Sequence, residues 1–197
     1  SWRDIRTVST FRSRDIVDAL AALAPTEALR VVIDPELGYN IVVAKNARPV
    51  GPSRKATPEE WDATMHVHLR GHFCVARHAV DYWRAQQKAG KPVDARIINT
   101  TSGAGLQGSI AQAAYSTAKG GIAALTLVQA AELGRYGITA NALAPAARTR
   151  MTEQAFADKM AAVESGFDAQ DPDNIAPTVV WLGSEVAEDG TGCGFGL

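Results

Sequence analysis

Residues 96 to 100 read Arg-Ile-Ile-Asn-Thr, a buried-strand pattern with a long helical pattern on either side, and this arrangement limits the fold more than any other feature of the chain. Upstream, Thr57-Pro58-Glu59-Glu60 sets a helix start: Thr57 is the N-cap, Pro58 takes the first helical position, and Glu60 is placed to complete a capping box. Behind it Trp61, Met65, Leu69, Phe73, Ala76, Val80 and Trp83 recur at helical spacing, predicting one apolar stripe that ends before Gly90 and Pro92. Downstream, beyond the small-residue loop Thr101 to Gly108, a second long helix is expected from about Ala113 to Leu133, stopped by Gly134 and Gly137. Ile138 to Ala144 then reads as a strand that Pro145 breaks. Arg14 to Ala24, Thr152 to Val163 and Ile175 to Leu182 are helix-like, while Leu29 to Asp34 and Ile41 to Ala44 are short β-branched runs. Repeated alternation of strand and helix predicts an α/β fold, a doubly wound parallel sheet covered by helices on both faces, with ligands at the carboxyl ends of the strands.

Composition bounds the class of partner. A chain of 197 residues, 46% hydrophobic and 21% charged, buries one sizeable core, so residues 1–197 are read as a single domain. The 20 basic and 21 acidic side chains are spread along the sequence and leave a net charge of -1, which offers no footprint for nucleic acid or an anionic membrane. A small-molecule partner is expected. No apolar run approaches the length of a membrane span, and Ser1 to Arg14 is too charged for a signal peptide. Cys74 and Cys193 make neither a disulfide framework nor a metal-ligand spacing, so no metal site is expected and a reducing cytoplasm fits.

The chemistry resides in the second long helix. Tyr115 and Lys119 are four residues apart, which puts an ammonium beside a phenol on one helix face. A phenol is a poor base at neutral pH, and bringing it near 7 requires about 4 kcal/mol of preferential stabilisation of the phenolate. A neighbouring lysine and a cationic nicotinamide ring can supply that. The spacing alone is common on exposed helix faces. Ser102 gives it context, since it lies at the end of the Arg96 to Thr100 strand, where a hydroxyl can hold a substrate oxygen while Tyr115 exchanges its proton.

Three stretches together, Ile97 to Ser102, Tyr115-Ser116-Thr117-Ala118-Lys119 and Asn141-Ala142-Leu143-Ala144-Pro145, resemble successive signatures of the short-chain dehydrogenase/reductase family, and Trp61, Met65, Leu69, Gly71 and Phe73 match its pattern for the helix before the serine strand. The resemblance covers about residues 41 to 192 and implies a Rossmann-like fold. It also implies NAD or NADP as cofactor and interconversion of a secondary alcohol and a ketone by hydride transfer. By resemblance Tyr115 is the catalytic acid/base, Lys119 lowers its pKa and binds the nicotinamide ribose, and Ser102 positions the substrate oxygen. Pro145 and Thr149 match positions at the cofactor, as do Asn46 and Ala47 within Lys45-Asn46-Ala47-Arg48. His68 stands where the family usually carries an asparagine that organises a proton relay to the lysine, so it is counted with the catalytic set. The wording of residues 96 to 183 is most similar to members acting on 3-oxoacyl or 3-hydroxyacyl thioesters and steroid-like ketones. The resemblance further implies a homodimer or homotetramer, paired through the two long helices.

Before Asn46 the match fades. Gly38 is the first glycine in the chain, so no glycine-rich turn precedes it to cradle a pyrophosphate on backbone N–H groups. Residues 1–40 fit the family poorly and are expected to be N-terminally truncated or rearranged relative to it. Lys45 and Arg48 put charge where the family has small or amide residues. These departures favour an alternative: a non-catalytic binding or subunit-interaction module with impaired cofactor binding.

Other features have plainer readings. His66, His68, His72 and His78 share one helix, and His68 with His72 has a spacing that can ligate zinc, but no carboxylate or cysteine completes a site, which leaves a solvated or subunit-facing surface as the expectation. Arg148 and Arg150 flank Thr149 and suit either a phosphate or plain exposure. Leu106 to Gln112, small and apolar, is positioned to line a pocket for an acyl chain or steroid-like ring.

Overall fold

The computed structural model describes residues 8–11, 29–34, 39–44, 56–148, 163, 165–187 and 190–196, the first three stretches as strand backbone alone. The helix-like stretches at residues 14–24 and 152–163 fall almost wholly outside the described residues, as do Lys45, Asn46, Ala47, Arg48, Thr149 and Arg150. Six strands form one sheet in the order β2-β3-β1-β4-β5-β6, with β1 at Val8–Phe11, β2 at Leu29–Asp34, β3 at Tyr39–Ala44, β4 at Ala95–Thr100, β5 at Ile138–Ala144 and β6 at Gly194–Gly196.

The sheet has two characters, and connection length decides which. Between β4 and β5 the chain has room for a crossover helix, and the two strands pair in parallel from Ala95↔Ile138 to Thr100↔Leu143, with β6 parallel to β5 beyond them. Only residues 35–38 join β2 to β3, far too few for a crossover, so that pair is antiparallel, and β1 is antiparallel to both β3 and β4. The expected parallel, Rossmann-like arrangement is thus carried by β4-β5-β6. The N-terminal strands are arranged differently, as their poor match to the family pattern suggests.

Helices cover both faces of the parallel half. Successive residues of β4 point to opposite sides. Ile97 packs with Val75, Ala76, Ala79 and Trp83 of helix α2 (Gly71–Lys88) and with Leu133 of helix α4 (Ala113–Leu133). Ile98 packs on the other side with Leu143 and with Leu182 of helix α5 (Ala176–Gly183). Asn99, fully buried, donates its amide to Thr126 Oγ1 at 2.8 Å and Gln129 Oε1 at 2.8 Å, pinning α4 over β4. At the far end of α4, Gly137 has φ +73° and a Cβ there would meet the Val93 carbonyl at 2.2 Å, so the turn into β5 requires glycine.

The helix before β4 starts as the sequence predicts. In α1 (Pro58–Met65), Thr57 accepts from the Glu60 N–H at 3.2 Å and the Glu60 carboxylate accepts from the Thr57 N–H at 3.0 Å, closing the capping box. It then departs from the predicted stripe. His66–Arg70 forms a π turn, in which the Gly71 N–H reaches back to the His66 carbonyl, before α2 resumes α-helical geometry. The buried side of the first half is Thr64, His68 and His72 instead of Met65, Leu69 and Phe73, and Phe73 is 49% exposed. Asp62, Met65, His66, Leu69, Arg70 and Phe73 line an outward-facing groove of about 310 Å³. Only past the turn does the predicted stripe hold, with Ala76 and Trp83 in the core.

Candidate active site

The carboxyl ends of β4 and β5 bring the predicted residues together. Thr101 extends the strand pairing by donating its N–H to the Leu143 carbonyl at 2.7 Å, which carries Ser102 to the sheet edge beside Pro145 at the end of β5. Ser102 is the N-cap of a five-residue helix, α3 (Gly103–Gln107), and its Oγ accepts from the Ala104 N–H at 3.2 Å. This fixes the hydroxyl's rotamer at the crevice. Tyr115, in the first turn of α4, is half-buried, and the Ser102 side chain acts on its phenol in the sense that favours the phenolate.

Lys119 lies one turn further along α4 and is 2% exposed. Its Nζ donates to the Thr100 carbonyl at 2.7 Å and stands 5.8 Å from the centre of the Tyr115 ring. Its backbone is held as well, since Thr101 Oγ1 donates to the Lys119 carbonyl at 2.6 Å. Backbone contact between α3 and α4 completes the seat: a Cβ on Gly105 would lie 2.6 Å from the Gly120 nitrogen and 2.7 Å from the Lys119 Cβ. No side chain fits between these helices.

Burial sets the protonation of the cluster. It pulls the Lys119 ammonium down to about 7, because a desolvated cation is disfavoured. The Tyr115 phenol is raised by burial, with the Ser102 hydrogen bond acting in the opposite sense. At neutral pH the tyrosine therefore holds its proton. His68 stands edge-on to Tyr115, ring centres 5.1 Å apart at 88°, and is pushed down to about 4 by burial and then by the Lys119 charge. His72 is pushed down to about 3 for the same two leading reasons.

Ser102, Tyr115, Lys119 and His68 thus converge as expected, and Pro145 closes the end of the neighbouring strand. Asn46, Ala47 and Thr149 lie outside the described residues. The solvated histidine face is corrected for two of its members: His68 is 6% and His72 1% exposed, whereas His66 and His78 are on the surface. The buried pair continues the side on which Thr64 is buried before the turn. The Arg148 guanidinium is ion-paired with Asp168, and its backbone N–H donates to the Gln170 carbonyl, so the side chain is engaged within the protein. Sequence reasoning gave no role of their own to Thr100 and Thr101, whose carbonyl and hydroxyl seat the lysine, and weighed His72 only as half of a zinc-capable spacing with His68. The i, i+4 spacing of His68 and His72 was the available signal.

The residues at the nicotinamide end of a dinucleotide suit that group. Lys119 carries three N–H donors and uses one, on Thr100, which leaves two buried donors at the strand ends to hold a ribose. The pyrophosphate end has no counterpart of the glycine-rich turn in the sequence.

Residues 32–160 match the short chain dehydrogenase family. The chain is 45% identical over 136 residues to the hydroxyacyl-CoA dehydrogenase ChsB1 of Mycobacterium tuberculosis, a match spanning 68% of this chain and 43% of that protein. It is 30% identical over 188 residues to (5R,7aS)-5-hydroxy-7a-methyl-1-oxo-2,3,5,6,7,7a-hexahydro-1H-indene-carboxyl-CoA reductase of the same organism, covering 92% of this chain and 70% of that one. A crystal structure of a short chain dehydrogenase from Mycobacterium avium superposes with a TM-score of 0.66 at 56% identity, over 77% of this chain and 50% of the other. The chain spans about half the length of the first of these relatives and of the crystal structure, and within that span the agreement of sequence, sheet and crevice makes it a member of the short chain dehydrogenase family.

Proposed function

We propose that the protein is a nicotinamide-dependent oxidoreductase that interconverts a secondary alcohol and a ketone on an acyl-CoA-like substrate. The observation that carries this reading is the half-buried Tyr115 phenol, with the Ser102 side chain acting on it and Lys119 Nζ 5.8 Å from its ring centre. A pure scaffold has no physical need for a desolvated lysine next to a desolvated phenol. Both mycobacterial relatives are named for CoA substrates, one a hydroxyacyl-CoA. The loop between Ser102 and Tyr115 suits such a ligand, with Leu106 57% and Ile110 98% exposed beside the crevice.

In this mechanism the substrate oxygen lies between the Ser102 and Tyr115 hydroxyls. Ser102 donates to that oxygen and orients it. Tyr115, protonated at neutral pH, gives its proton to the oxygen in the reductive direction and takes it back in the oxidative one. Lys119 holds the ribose hydroxyls and, when charged, favours the phenolate. NAD or NADP, when bound, would supply the hydride chemistry, and its oxidised ring would add a positive charge favouring the Tyr115 phenolate. Because burial raises Tyr115, oxidation of the alcohol is expected to speed up with rising pH, whereas reduction draws on the protonated form already present.

Titration with NADH and NADPH, followed by turnover of 3-hydroxyacyl-CoA and steroid-like CoA thioesters, tests the reading. Saturable cofactor binding with turnover supports it. No saturable affinity for either dinucleotide would favour the binding-module alternative.

A further inference from the structure

The mechanism above gives no part to His72, although it is the more deeply buried imidazole of the helix, at the first turn of α2. Its Nδ1 lies 2.6 Å from the His68 carbonyl oxygen. A carbonyl only accepts, so Nδ1 carries the proton, and in the neutral ring Nε2 is a bare acceptor. That Nε2 is buried and has no partner among the described residues, and the same holds for Nδ1 of His68. An apolar side chain would pack here without orphaning a nitrogen. The donor at Nδ1 is what such a side chain would lack.

The π turn explains the need for it. His66–Arg70 closes wider rings than an α-helix, as the bond from Gly71 to His66 shows, so the regular ladder of donors and carbonyls is interrupted here. His72 supplies a side-chain donor to His68, the residue whose ring stands edge-on to Tyr115. We propose that His72 is a positioning residue for Tyr115: its Nδ1–H bond to the His68 carbonyl fixes the π turn in the register that holds the His68 ring against the phenol. The charged or titratable groups acting on His72 are Lys119, from α4, and His68, on its own helix. With burial they keep the ring neutral and the Nδ1 donor in place throughout the range in which Tyr115 works.

This inference rests on the assignment of Tyr115 as acid/base. The test compares His72→Phe, which keeps a ring without a donor, with His72→Asn, whose amide nitrogen sits the same number of bonds from Cβ as Nδ1. In His72→Phe, kcat is expected to fall about 10-fold or more with KM within about twofold, the pattern of misplaced catalytic geometry. The Tyr115 titration, followed by ultraviolet absorbance in the cofactor-free protein, moves with it. His72→Asn is expected to restore kcat to within about threefold and to return the titration towards that of the parent. Imidazole nitrogen resonances of the parent should report a neutral His72 protonated at Nδ1. Parent-like kcat and an unmoved titration in His72→Phe would overturn the proposal. If His72→Phe fails to fold, a folded His72→Asn decides: retained turnover supports the proposal, lost turnover overturns it. Tyr115→Phe separates the two layers, because its retained turnover would sink the acid/base assignment itself, whereas an inactive Tyr115→Phe beside a fully active His72→Phe removes only the role of His72.

Discussion

The two halves of the helix that precedes β4 share one backbone path and bury different chemistry. Through the π turn and into the first turn of α2 the buried side is Thr64, His68 and His72, facing α4; further along α2 it is Val75, Ala76, Ala79 and Trp83, facing the sheet. The second half is ordinary core, in which apolar area removed from water does the stabilising. The first half holds imidazoles neutral against their ordinary range and leaves two of their nitrogens unpartnered, which costs stability. Function is concentrated where the helix is least favourable.

The contrast can be broken most sharply at Lys119. Lys119→Met should lower kcat by about 10²-fold or more by removing the ribose contact and the charge next to Tyr115. It should also stabilise the fold. The folded value of Lys119, about 7, lies below its ordinary 10.5, so the unfolded chain binds more protons between those limits and stability rises with pH across them. Denaturant midpoints of the variant should lose that rise, and an unchanged pH dependence would contradict the buried ammonium.

Trp83→Ala probes the other half. It should cost about 3–5 kcal/mol of stability while leaving kcat per folded molecule nearly intact. A selective loss of kcat would erase the distinction between the halves. The histidines give a smaller effect with the same sign logic as the lysine. His68 and His72 sit at about 4 and about 3 in the fold against an ordinary 6.5, so stability present near neutrality is lost as pH falls below 6.5. His68→Asn should remove about one proton from that dependence, measured as a shallower loss of stability between neutral and mildly acid pH. Smaller still, Gly105→Ala pushes α3 off α4 at Lys119 and should lower kcat several-fold, roughly the effect of a sub-ångström misplacement.

Much of this architecture was legible in the residues. The capping box at Thr57 and Glu60, the bounds of α4 between Ala113 and Leu133, and β5 at Ile138–Ala144 follow from local chemistry that tertiary packing does not override. The meeting of Ser102 with Tyr115 followed from strand end and helix spacing. What escaped has a physical cause in each case. The apolar stripe from Trp61 to Phe73 assumed an unbroken 3.6-residue period, which the π turn violates. The burial of His68 and His72 runs against the preference of polar side chains for the surface, and only proximity to Lys119 and Tyr115 gives it a purpose. The strand Val8–Phe11 is β-rich but only four residues long, Gly194–Gly196 has one β-forming residue in three, and both exist because a neighbouring strand offers its edge. The antiparallel N-terminal half reflects a connection length, where the sequence reading followed the alternation further along the chain.

The central claim is that one half-buried phenol, that of Tyr115, moves the proton of the reaction. Steady-state turnover of Tyr115→Phe against the parent, each with the nicotinamide cofactor the parent binds and the hydroxyacyl-CoA substrate it turns over best, tests it most directly. The account predicts that kcat falls by about 10³-fold or more while cofactor affinity and thermal unfolding stay near those of the parent. Turnover at the parent's rate in a folded, cofactor-binding Tyr115→Phe would contradict it.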